Sequence, residues 1–136
     1  MNRPILLGYQ LLIAFSDTTT GALLMVAPAF TLRLMGLRAP SDSLVYVSFI
    51  GAFVLSVGLA CLYGALLVYR GGCRGRLEIV WLLTAFTRAS VAIFVMGQFL
   101  ASTLATGWLT VAAADGACVL IQAIGLRKGW LASVAR

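Results

Sequence analysis

The sequence predicts an all-α protein, a four-helix transmembrane bundle that forms a single domain over residues 1–136. Three observations predict it. Of the residues, 62% are apolar and only 10% charged, with a mean hydropathy of +1.03, whereas a soluble domain is roughly 45–50% apolar and about 25% charged. The apolar residues fall into four runs separated by glycine and proline. The lysines and arginines outside those runs gather on alternate connections. A chain of this composition has too few polar groups to cover a surface in water, and a bilayer-spanning helix needs about 20 apolar residues. Four such helices and short links use up the whole length and leave no room for a soluble domain.

The first helix is expected over about residues 5–32. Arg3, the apolar run and Ala27-Pro28-Ala29 have the look of a cleavable signal peptide. Asp17 and the threonines Thr18, Thr19 and Thr20 interrupt the run, however, so the segment is expected to be retained as a span. Hydroxyls at Thr18–Thr20 can bond back to helix carbonyls, and Pro28 is expected to kink or thin the far end. The second helix is expected over 44–69. It carries no charge, and Ser48, Gly51, Gly58 and Ala65 recur near heptad spacing. Small residues at that spacing let helix backbones approach closely. The contact is either packing inside the bundle or a homodimer interface through Gly51 and Gly58. The third helix is expected over 77–102, with Glu78 complementing the helix dipole, and the fourth over 107–126. The short link from Ser102 to Gly107 makes the last two an antiparallel hairpin.

Orientation follows from the cations. Arg3, Arg70, Arg74, Arg76, Arg127, Lys128 and Arg136 fall on one side, and Arg33 and Arg38 on the other. Seven against two places both termini in the cytoplasm, with the protein in the cell's inner (plasma) membrane. The net charge of +6 is therefore topological and does not point to nucleic acid. Trp81 and Trp130 are expected at the cytoplasmic interface and Trp108 at the outer one. With no histidine and three unclustered cysteines, no metal site, cofactor motif or disulfide framework is expected.

Three charges do not belong in lipid. Counting about 1.5 Å of rise per residue, Asp17 lies about 18 Å from the start of the first helix. Arg88 lies about 16 Å into the third, and Asp115 about 16 Å from the end of the fourth. All three reach the midplane, where each alone would cost about 2.5–3.5 kcal/mol on insertion scales. Arg88 is therefore expected to bridge Asp17 and Asp115, since a guanidinium fork can serve two carboxylates. Thr84, Gln98, Gln122 and Thr20 share faces with the three charges and complete the candidate ligand- or proton-binding residues. Two carboxylates and one guanidinium leave one negative charge, which a proton or another cation would neutralise. No residue pattern marks a catalytic group.

The run Leu11-Leu12-Ile13-Ala14-Phe15-Ser16-Asp17 matches Leu82-Leu83-Thr84-Ala85-Phe86-Thr87-Arg88 at four positions, with the closing charge reversed. Both helices point the same way, so the match suggests a parallel internal repeat.

The stretch from Gly21 through Pro28 and Arg33 to Gly36-Leu37 resembles the end of the first helix in DoxX-like small bacterial four-helix membrane proteins. The length, the helix count and an acid in the fourth helix are also similar. The redox association proposed for some of that group has no residue here to carry it. The functions left open are a non-catalytic subunit or binding protein, partnered by an apolar small molecule or another membrane protein; a proton-coupled transporter; and a small intramembrane isomerase or cyclase with a carboxyl as acid.

Overall fold

A computed structural model of the chain describes residues 2–38 and 40–134. Arg136, counted above among the cytoplasmic cations, lies outside the described residues. The described chain is all-helical, with five α-helices and no strand. Pro4 sits in the first turn of α1 (Arg3–Val26), where its missing N–H is not needed. The first segment is two helices, since α1 stops at Ala27, just before Pro28. The residue ahead of a proline is pushed out of the helical region, and Ala27 has φ −139° and ψ 62°. Pro28 then opens the short α2 (Pro28–Leu34), and a single 3-10 turn (Ser41–Ser43) leads into α3 (Leu44–Arg70).

The end of α3 is built by backbone chemistry. Gly71 takes the left-handed conformation at φ 67°, and its N–H closes onto the last turn, the usual glycine stop. Arg3 reaches across from α1 and donates to the carbonyls of Val68 at 3.1 Å and Tyr69 at 2.6 Å. It thereby caps orphan acceptors at the negative end of the helix dipole. Next comes α4 (Arg74–Leu100), where Glu78 pairs with Arg74 one turn earlier at 2.6 Å. A tight link and a 3-10 turn (Thr106–Trp108) precede α5 (Leu109–Arg127).

Three helical stretches are long and apolar enough to cross a membrane: Ser41–Arg70, Arg74–Leu100 and Thr106–Arg127. At 24 residues, or about 36 Å, α1 has the length but not the apolarity. Gln10, Asp17 and the three threonines dilute it.

The helices pack as two pairs, α1 with α3 and α4 with α5, joined by sparser contact between α3 and α4. Glycine brings α1 and α3 together. A Cβ on Gly58 would lie 2.5 Å from the Thr18 backbone nitrogen, and one on Gly51 would lie 2.8 Å from the Leu24 Cβ. Both glycines are thus covered by α1 of the same chain, and the surface that the homodimer expectation assigned to them is occupied. Two apolar clusters close the ends. Leu6, Leu67, Val68, Leu77, Trp81 and Leu131 seal the arginine-rich end. Leu24, Leu32, Leu37 and Val47 pack the opposite end.

Candidate functional site

Between the two apolar clusters the interior also holds charged and polar side chains. Asp17 of α1, Arg88 of α4 and Asp115 of α5 project into it from three helices. Arg88 donates through Nη1 to Asp115 Oδ1 at 2.5 Å and through Nη2 to Asp17 Oδ2. The bridge read from the sequence is therefore in place, with one guanidinium serving both carboxylates. The Arg88 side chain is 8% exposed, and those of Asp17 and Asp115 are 17% and 16% exposed. Each carboxylate spends one oxygen on Arg88. The other oxygen, Oδ1 of Asp17 and Oδ2 of Asp115, has no partner among the described residues. With both carboxyls ionised the unit has one net negative charge and two free acceptor oxygens, an arrangement suited to one positive charge or to hydrogen-bond donors.

The other sequence candidates divide. Thr84 and Gln122 meet each other, Gln122 Nε2 donating to Thr84 Oγ1 at 2.9 Å while Thr84 donates to the Val80 carbonyl at 2.8 Å. They form a buried crosslink between α4 and α5 on the arginine-rich side of the charges. Gln98 is not part of the site. It lies ten residues beyond Arg88, about 15 Å along the helix, and its side-chain oxygen accepts from Thr103 at 2.6 Å in the link after α4. Helical periodicity aligned it with Arg88 but could not show that the loop would claim it. Thr20 is half-buried and makes no side-chain hydrogen bond among the described residues. It is Thr18, one position after Asp17, that packs against Gly58.

Trp81 overturns an expectation. It does not present its ring to lipid but is wholly buried, lying over Gly125 of α5, where a Cβ would come within 2.5 Å of its ring. Tyr9 packs against it with ring centroids 5.8 Å apart. Gln10 is buried as well, its amide set against Gly64 of α3. Cys61 and Cys118 are buried thiols near Arg88. The sequence did hold a signal for Gln10 and Trp81. Each stands seven residues, two turns, before a member of the triad on its own helix, and Gln122 stands seven after Asp115.

The structure also extends the internal match. The offset of 71 residues that pairs Asp17 with Arg88 pairs Arg3 with Arg74 at the helix starts, buried Leu6 with buried Leu77, and Gln10 with Trp81. Two surface grooves of about 550 Å³ each lie away from the triad. One is an apolar furrow between α1 and α3 beside Leu62 and Tyr63. The other lies beside Arg33 and Arg38.

Set against known proteins, the chain matches no family model, no curated protein and no solved structure.

Proposed function

We propose that this chain is a four-span protein of a bacterial inner membrane, both termini cytoplasmic, serving as a non-catalytic binding subunit that holds one positive charge at Asp17, Arg88 and Asp115. The observation that carries this reading is a single guanidinium shared by two carboxylates, each left with an unpartnered oxygen. A net charge buried near a bilayer midplane needs a counter-charge, and a proton or a small organic cation supplies it. The fourth span is α1. Its lipid-side face is apolar, with Leu12, Phe15 and Val26 exposed, while Gln10 is buried and Asp17 turns toward Arg88. Lipid cannot satisfy inward polar groups, so the bundle must. The DoxX-like resemblance agrees with this architecture and rests on the sequence alone.

The test is infrared spectroscopy of the full chain in bilayers, comparing wild type with Asp17→Asn and Asp115→Asn. The expected result is a protonated-carboxyl band in the wild type at neutral pH that one of the two variants lacks. A wild type with no such band, whose carboxylate bands also stay unmoved when tetramethylammonium is added, would sink the reading.

A second reading, proton-coupled transport, is favoured by the partial exposure of both carboxylates. The two carboxylates are partly accessible while Leu6, Leu77 and Trp81 close the arginine-rich end. A carrier of this kind takes up or expels a small compound in proteoliposomes under a proton gradient and loses that activity in Asp17→Asn.

A further inference from the structure

Two turns toward the arginine-rich end from each member of the triad stands a buried polar residue on the same helix: Gln10 below Asp17, Trp81 below Arg88 and Gln122 below Asp115. Gln10 and Gln122 are each 1% exposed and Trp81 is 0% exposed. Seven residues correspond to about 10 Å of helix, so the three define a second polar layer about 10 Å from the first. The atoms without a hydrogen-bond partner belong largely to this space. They are both ends of the Gln10 amide, the Trp81 indole nitrogen, Gln122 Oε1 and the Tyr9 hydroxyl, which has only the Cys118 thiol beside it, together with Arg88 Nε and Thr18 Oγ1 from the layer above. Tyr9 joins the two layers, packing against Trp81 on one side and lying near Cys118 and Arg88 on the other. One turn further on, Leu6 and Leu77 close the floor.

Buried polar groups in folded proteins almost always have partners, and in a bilayer no outside solvent can supply them. The unpartnered set mixes groups that only donate (the Trp81 and Arg88 Nε N–H groups), one that only accepts (Gln122 Oε1) and three that do both (the Gln10 amide and the Tyr9 and Thr18 hydroxyls). A purely accepting or purely donating guest would leave part of the set unanswered. Water answers all of it, and buried waters commonly make about three hydrogen bonds to groups of this kind.

We propose that the space between Tyr9, Gln10, Trp81 and Gln122 is a hydrated chamber that holds a small cluster of ordered water beneath the Asp17–Arg88–Asp115 triad. The cluster forms a hydrogen-bonded path from the triad toward the arginine-rich end, stopped only by the Leu6–Leu77 floor. The chamber does not depend on the triad's holding a proton, because the unpartnered atoms are there in either case.

Radiolytic hydroxyl footprinting of the full chain in lipid nanodiscs, read residue by residue by mass spectrometry, tests this. Hydroxyl radicals form from water in place, so a buried side chain is oxidised only where water sits beside it. The expected result is that buried Trp81 and the Tyr9 ring are oxidised in the wild type, Tyr9 comparably to exposed Tyr46, while buried Leu24 in the opposite cluster is protected. The double variant Gln10→Leu with Gln122→Leu removes the amides that hold the cluster, and the labelling of Tyr9 and Trp81 should be lost. Protection of Tyr9 and Trp81 in the wild type overturns the proposal. So does a rise in thermal midpoint for Gln10→Leu alone, because a dry amide is relieved by an apolar replacement and a hydrated one is not.

Discussion

The α1–α3 pair and the α4–α5 pair follow the same course, one helix away from the arginine-rich end and one back, yet different forces hold them. In the first pair the contact is backbone on backbone. Gly51 and Gly58 leave no room for a side chain between the helices, and the attraction is dispersion summed over closely set atoms, with no hydrophobic drive inside a bilayer to assist it. In the second pair a single glycine, Gly125, admits the Trp81 ring. The rest of the contact runs through polar side chains, Thr84 with Gln122 and Arg88 with Asp115. The first pair adds one carboxylate to the triad, and the second adds the guanidinium and the other carboxylate. Two helix pairs of similar course are thus joined by shape on one side and by charge on the other. The shared guanidinium then ties the two pairs together where direct helix contact is sparse.

The comparison can be broken most severely at its shared member. Arg88→Leu leaves two carboxylates with no counter-charge, and removing one partner from a buried ion pair costs about 3–5 kcal/mol. The variant should fail to accumulate in membranes or unfold at much lower denaturant, and Arg88→Lys should recover part of the loss. Insertion and denaturant titration in lipid measure both.

Next in size is the backbone contact of the first pair. Gly58→Leu drives a side chain into the Thr18 backbone, and overpacking costs about 1–3 kcal/mol or more. Gly8→Ala, which meets nothing within 4 Å, should cost nothing. Disulfide trapping between cysteines placed on α1 and α3 should fall in the first variant and hold in the second.

Neutralising one acid sharpens the contrast. Asp115→Asn keeps the Arg88–Asp17 pair and removes the net charge, so its stability cost is expected near the value for a single charged hydrogen bond, about 1.5–3 kcal/mol. Gln122→Leu alone should cost about 1 kcal/mol, a single buried hydrogen bond, and should loosen only α4 against α5. At the small end, Arg74→Ala removes a surface pair with Glu78 whose side chains are 47% and 34% exposed. Pairs of that kind are worth about 0.3–0.5 kcal/mol, and a thermal scan should not separate this variant from the wild type.

Sequence alone carried the helical character, three of the apolar spans and the meeting of Asp17, Arg88 and Asp115. The reason is depth. Helical rise is constant, so the position of a charge along its run is arithmetic, and three charges at one depth in an apolar medium have no better partners than each other. The small-residue contact of α3 was also legible, because glycine spacing is a local property. What the glycines touch was not, because the facing helix is chosen by the whole packing. The structure gave Gly51 and Gly58 to α1 of the same chain.

Other features belonged to tertiary structure from the start. Whether the Trp81 ring faces lipid or the core depends on Gly125, forty-four positions away in the sequence, which supplies the space for it. Gln98 shares the helical phase of Arg88, but phase does not say which neighbour will claim an amide first, and Thr103 did. The break at Ala27 was foreshadowed by Pro28, whose ring acts on the residue before it whatever the fold. The second polar layer of Gln10, Trp81 and Gln122 needed both sources. Its seven-residue spacing is written in the chain. That all three side chains are buried, with polar atoms left over, was decided when the two helix pairs closed on each other.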